Sequence, residues 1–261
     1  MKRILLSSLL LCVLSPAIPA FAGASATSTI HWESFSVQLI DLSGGLDTPE
    51  FVWSFAYGEV FSVASNPYVA SYGGWNQAVD LSTPLQSAAN ITGAQVTVSR
   101  DANTLHAYAA TEPAAVGELL GTSNFANGWA NTTGYFSLSG KGVAIITVGW
   151  DVSVTGSIGD WSDYGYADAG IAGSYSDGLY NYGFANSSGD LYSTNNGDSQ
   201  ISGSFAFAVV GSGDAITTGQ LYAQARAFAY SPLSPVPEPE SYMLMVVGLS
   251  MLVWLTRRRE S

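Results

Sequence analysis

His31 and His106 are the only imidazoles in the chain, so proton transfer at neutral pH would run through one of them or through a carboxylate. Neither sits in a metal-ligand spacing such as H-x-x-x-H. No G-x-S-x-G elbow supplies a nucleophile for either to activate. A glycosidase needs only two carboxylates about 5–9.5 Å apart, but no pair among the acidic residues is singled out by its spacing. Asp160, Asp163 and Asp168 offer oxygen ligands of the kind calcium takes, without the spacing of an EF-hand loop. The expectation is therefore no catalytic residue, no metal site and no cofactor: a protein that is not an enzyme. Binding chemistry is better represented. Between Asp160 and Asp198, Trp161, Tyr164, Tyr166, Tyr180 and Tyr182 are interleaved with Gly, Ser, Asn and Asp. Flat rings beside short polar side chains suit stacking on the C–H faces of pyranoses, which makes these five candidate sugar-binding aromatics. The same pattern also fits a strand-and-loop region whose rings are half-buried.

The elements that must position these residues read as strands. Apolar and polar residues alternate from His31 to Leu42 and from Phe51 to Tyr57, around the turn-forming Ser43–Pro49. Further candidates are Gly93–Arg100, Thr104–Thr111, Gly134–Ser139, Val143–Thr155, Ile201–Val210 and Gln220–Tyr230. Thr111–Leu120 is the one short helix expected. Many strands at short spacing with glycine-rich turns predict an all-β ectodomain of β-sandwich or jelly-roll type. His106–Ala109, Phe205–Ala208 and Arg226–Tyr230 alternate large side chains with alanine, so rings take one face and alanines the other. The expectation is rings in the core and alanines on the outer face.

Composition narrows the class. Charged residues make up 11% of the chain while aromatics reach 12%, which supports a folded domain, since disordered chains lack aromatics. Between Ala26 and Val236 there are seventeen carboxylates against three bases, a net charge of −14. Such a surface repels phosphate backbones, which excludes nucleic acid as a partner. The only cysteine is Cys12.

The ends carry the export signals. Lys2 and Arg3 precede the apolar Ile4–Val13, and Ala20-Phe21-Ala22 supplies a small-residue cleavage pattern. Residues 1–22 therefore read as a signal peptide and residues 23–231 as the β-rich extracellular domain. Residues 232–241 read as a proline-rich linker with a sorting motif, and 242–261 as a transmembrane helix with an arginine-rich cytoplasmic tail. The apolar stretch from Tyr242 to Thr256 spans roughly 22 Å as a helix, against a hydrocarbon core of roughly 30 Å. Arg257, Arg258 and Arg259 place the C-terminus inside. Lys2 and Arg3 place the N-terminus there too, so the middle of the chain lies outside.

The order Val236-Pro237-Glu238-Pro239, short apolar helix, arginine cluster resembles the PEP-CTERM sorting signal of Gram-negative bacteria. The resemblance implies recognition by an exosortase, a membrane protease, with transient insertion in the inner membrane and cleavage near the motif. It also implies delivery to the cell surface or medium, in bacteria that make exopolysaccharide and biofilm. The ectodomain is accordingly expected to be a structural or exopolysaccharide-associated matrix protein. The alternatives are a carbohydrate-binding module and a glycan-active enzyme, either a glycosidase or a lyase. Replacing Pro237, Glu238 and Pro239 with alanine should leave the protein in the inner membrane on cell fractionation; undiminished release would count against exosortase processing.

Overall fold

A computed structural model describes residues 23–66, 68–79, 83–112, 123–156, 163–188, 191–193 and 198–232. The expected signal peptide and sorting tail lie outside them, as does all but the start of the expected Thr111–Leu120 helix. Thr111 itself ends a strand. Among the described residues there is no helix long and apolar enough to cross a membrane.

The chain forms an all-β sandwich. Its strands are β1 (Ser25–Asp41), β2 (Glu50–Ser65), β3 (Ala70–Ala78), β4 (Leu85–Ile91), β5 (Ala94–Arg100), β6 (Thr104–Thr111), β7 (Ser123–Ser139), β8 (Lys141–Thr155), β9 (Tyr164–Ser176), β10 (Asn181–Ser187), β11 (Leu191–Tyr192), β12 (Ser199–Ser212) and β13 (Thr217–Pro232). The six-stranded sheet runs β12-β8-β1-β6-β5-β4, the seven-stranded one β10-β9-β13-β7-β2-β3, and β11 pairs with β9. Neighbouring strands are antiparallel. Tight reversals use glycine where the backbone must turn left-handed: Gly93 (φ 85°) between β4 and β5, and Gly140 (φ 75°) between β7 and β8. Pro232, placed in the linker by sequence, is the last residue of β13 and pairs with Ser123.

The placement of rings corrects the sequence-based expectation in most strands. Ala107 and Ala109 of β6, Ala126 and Ala130 of β7, Ala167 and Ala169 of β9, and every alanine of β13 from Ala223 to Ala229 are buried. The intervening Tyr108, Phe228 and Tyr230 face outward and are half-buried. Only β12 follows the expectation, with Phe205 inside and Ala206 and Ala208 exposed.

The reason is the separation of the sheets. Cα atoms of β13 and β6 lie within 8 Å of one another across the interface, as do those of β6 and β7 and of β1 and β13. Packed sheets usually stand about 10 Å apart, so only small side chains fit here. A Cβ on Gly128 would come within 2.5 Å of Val98 and 2.6 Å of Val96. Hydroxyls bridge the gap directly: Ser28 Oγ donates to the Asp168 carbonyl at 2.7 Å, and Ser62 and Ser87 share a bond of 2.7 Å.

Larger side chains fill the sandwich elsewhere. Trp32, Phe35 and Trp53 cluster with ring centroids 5.2–6.1 Å apart, Phe51 stacks on Phe136 at 5.5 Å, and Phe184 stacks on Phe207 at 4.2 Å. Arg100 is fully buried, and Gly58 leaves it room, since a Cβ there would collide with the Arg100 side chain.

Gly128→Leu should destabilise the sandwich by about 1–3 kcal/mol or more, because the valines opposite have no space to yield. The outward-facing Ala206→Leu should be close to neutral. Urea unfolding monitored by tryptophan fluorescence would compare the two.

Candidate functional site

Both histidines lie on the outer face of the six-stranded sheet. The register of β1 shifts between His31 and Ser36, and this irregularity re-aims the local side chains. His31 Nε2 meets Asp151 Oδ1 at 2.5 Å and its Nδ1 meets Glu33 Oε1 at 3.2 Å. With both ring nitrogens facing carboxylates, His31 has none turned toward a serine hydroxyl. The adjacent Ser34 Oγ is engaged elsewhere, donating to the His31 carbonyl and accepting from the Gly149 amide. His106 sits one strand over, its Nδ1 3.2 Å from Thr29 Oγ1. Burial holds the His106 imidazole below its ordinary range, partly offset by the negative charge of Asp151. The arrangement ties strands together; it does not resemble a nucleophile with its base.

Asp163 and Asp168, two of the three carboxylates of the kind calcium takes, lie apart. Asp163 is buried just before β9 and Asp168 lies on the outer face of β9, while Asp160 is outside the described residues. Among the described residues no group of three or more His, Cys, Asp or Glu side chains could hold a metal ion.

Rings gather instead on the outer face of the seven-stranded sheet, because its inner face is occupied by alanine. In strand register, Trp75 of β3 neighbours Phe61 of β2, then Trp129 of β7, Arg226 of β13 and Asp168 of β9. The next rows bring Phe228 beside Tyr166 and Tyr192, and Phe125 beside Tyr230 and Tyr164. The rings touch within three groups, with Arg226 lying between the first and the others. Phe61 stacks on Trp129 at 5.9 Å, and Trp75 meets Trp129 edge-on at 6.2 Å. Phe228 contacts Phe125 at 5.2 Å and Tyr164 at 5.3 Å, and Tyr166 contacts Tyr192 at 5.0 Å. The Arg226 guanidinium lies 5.4 Å over the Tyr166 ring, within cation–π range. Trp75 is 62% exposed and Tyr72, on the same strand, 69%.

A hydrogen-bonded row crosses the sheet beyond this belt. Gln77 Nε2 donates to Glu59 Oε1, and Asn131 Nδ2 donates to Glu59 Oε2 and to the Tyr222 hydroxyl. Burial raises the Tyr222 phenol above its usual range. Further along the same face is a shallow trough of about 580 Å³, lined by Ser54, Tyr135, Ser137, Ser174, Thr218 and Gln220 among others. From Phe125 to Ser137 along β7 the face runs for about 40 Å at roughly 3.3 Å per residue.

The five aromatics singled out in the sequence do not form one row. Tyr164 and Tyr166 join the belt, half-buried. Tyr182 pairs with Tyr175, on the opposite face of the sheet, and stacks on it at 4.8 Å. Tyr180 and Tyr182 are 66% and 41% exposed, at a hairpin pinned by Asp177. That carboxylate accepts from the Tyr180 and Leu179 amides and the Tyr182 hydroxyl, which lowers its pKa, the Tyr180 amide contributing most. Trp161 lies outside the described residues, as do Val236, Pro237, Glu238, Pro239 and Arg257–Arg259. Phe61, Trp75, Phe125, Trp129, Phe228 and Tyr230 were missed. Their signal was the alanine or glycine at alternate positions of β7, β9 and β13, small enough for two sheets to meet there.

Fold and surface together define an all-β sandwich domain with a ring-bearing sheet face. The family model described as the PEP-CTERM protein-sorting motif matches residues 235–259. The chain therefore carries this sorting signal and is an exported protein directed to exosortase; the match spans the tail and not the sandwich. No curated protein and no solved structure matches the chain.

The burial of His106 has a consequence for stability. With its pKa lowered on folding, the native state binds fewer protons than the unfolded chain, so stability is full above the ordinary imidazole value of 6.5 and is lost as pH falls through it. Thermal unfolding should show this loss below pH 6.5, and His106→Gln should reduce it. An identical pH profile in the variant would remove His106 as the cause.

Proposed function

We propose that this exported protein is a structural component of the cell surface or extracellular matrix that holds polysaccharide against the outer face of its seven-stranded sheet. The observation that carries this reading is the set of ring groups that strand register aligns on one face, Trp75 with Phe61 and Trp129, then Phe228 with Tyr164 and Phe125, and Tyr166 with Tyr192, on the side of the sheet turned away from its partner. Rings that the narrow interior cannot hold stand on the surface, where stacking on sugar faces gives them a use. The trough beyond the belt offers hydroxyls and amides from Ser54, Ser137, Ser174, Thr218 and Gln220, the complement of a hydroxyl-rich polymer. A net charge of −14 between Ala26 and Val236 favours a neutral polymer over an anionic one.

Binding is favoured over cleavage. A glycosidase needs two facing carboxylates, and the described lining of the trough contains no Asp or Glu. The sorting tail supports delivery to a compartment where such a polymer is met.

Affinity electrophoresis through the producing cell's own exopolysaccharide, and through neutral β-glucans, tests the proposal. Trp129→Ala and Trp75→Ala should each weaken retardation about tenfold, equivalent to about 1.4 kcal/mol, while Tyr180→Ala on the hairpin should not. Unchanged retardation in both tryptophan variants would sink the assignment of the belt.

A further inference from the structure

The register that aligns the first ring group also aligns a polar row beside it. Trp75, Phe61 and Trp129 are neighbours across β3, β2 and β7. Two residues along each strand stand Gln77, Glu59 and Asn131, again neighbours. A step of two keeps the same face, so the polar row runs parallel to the rings at about 7 Å.

Glu59 is the centre of that row. Its Oε1 accepts from Gln77 Nε2 at 2.8 Å and its Oε2 from Asn131 Nδ2 at 3.2 Å. Asn131 is only 4% exposed and also donates to the Tyr222 hydroxyl at 3.4 Å, so a buried side chain holds the carboxylate in place. Among the described residues no Lys, Arg or His side chain pairs with Glu59. An ionised carboxylate accepts at about four lone-pair positions. With one bond made by each oxygen, each keeps one position for a further donor. Glu59 is half-buried, and Gln77 beside it is exposed.

On the reading of this face as a polysaccharide surface, on which the inference rests, we propose that Glu59 recognises a vicinal diol. Each of its oxygens accepts one of two adjacent hydroxyls on a pyranose that stacks against the neighbouring rings. The linkage of the polymer follows from this chemistry. A β-1,4-linked glucan keeps the hydroxyls of C2 and C3 free as an adjacent pair on every internal residue. A β-1,3-linked glucan is joined through O3 and has no adjacent pair within the chain. Both are uncharged and present the same pyranose to a stacking ring, so the rings do not separate them and Glu59 does. The carboxylate binds and does not cleave. Asp168, in register with the ring row, stands on β9, three strands from β2 and roughly 14 Å away, beyond the separation of a glycosidase pair.

Isothermal titration of the exported protein, purified without truncation, with cellohexaose and with laminarihexaose tests the assignment. Cellohexaose should bind about tenfold more tightly, since hydrogen bonds to a charged group reward the diol. Glu59→Gln keeps the size of the side chain but replaces one acceptor oxygen with a donor. It should bring the two affinities to within about twofold while leaving laminarihexaose unchanged, which also establishes that the variant folds. Trp129→Ala should weaken both alike. Equal binding of the two hexaoses, or binding of neither, would overturn the diol assignment, as would a Glu59→Gln variant that keeps the preference or weakens both equally. If Trp129→Ala still weakens binding in those cases, the ring surface stands without the diol. If Trp129→Ala changes neither affinity, the ring surface and the diol assignment fall together.

Discussion

The contact of β13, β7 and β9 with β1, β5 and β6 through alanine, glycine and serine brings Cα atoms of facing strands within 8 Å. That separation decides where every large side chain in this part of the molecule can go. Burying an alanine methyl yields only about 0.8 kcal/mol, less than burying a ring. Close approach compensates by bringing backbone against backbone in dense van der Waals contact. It also lets short hydroxyls reach across, as Ser28 does to the Asp168 carbonyl and Thr111 to Ser231. The only cysteine of the chain is Cys12, so no disulfide reinforces this contact within the sandwich. Packing carries the stability.

From that constraint follows the surface. Rings excluded from the narrow part of the sandwich must face outward, and cross-strand register gathers residues from β2, β3, β7, β9, β11 and β13 into one belt. Tyrosine tolerates such a position well, with an apolar ring against its neighbours and a hydroxyl toward water. The same strands connect the surface to the export route. β13 lies between β7 and β9 and ends at Pro232, shortly before the sorting motif that begins at residue 235. Any load on the tail is therefore passed to an internal strand paired on both sides.

Much of the secondary structure was legible in the sequence, and the reason is local. Thr104–Thr111 and Val143–Thr155 alternate strongly, and glycine at Gly93 and Gly140 marks turns that need positive φ. β3, β4, β9, β10 and the first half of β7 escaped, because Gly, Ala, Ser and Asn dominate them and strand propensity favours β-branched and aromatic residues. The ring-bearing site was only partly legible. Tyr164 and Tyr166 stood out as neighbours in sequence, whereas Trp75, Phe61, Trp129 and Phe228 come from separate strands that only register aligns. Tyr180 and Tyr182 shared their composition, but Tyr180 lies in a hairpin and Tyr182 pairs with Tyr175, an odd step along β9 from Tyr164 and Tyr166 and so on the other face.

Sequence alone determined the traffic of this protein. A sorting signal is read as a linear segment by a partner, so Val236-Pro237-Glu238-Pro239, the apolar stretch and the arginines carry their meaning without a fold. Alternation likewise determined that rings and alanines occupy opposite faces, because the period of a strand is a property of its backbone. Which of those faces turns inward was decided only by the tertiary structure. It depends on whether the facing sheet presents small residues too, and Gly128 against Val96 and Val98 is a fact about two strands far apart in the chain. The interior took the alanines, and the surface inherited the rings.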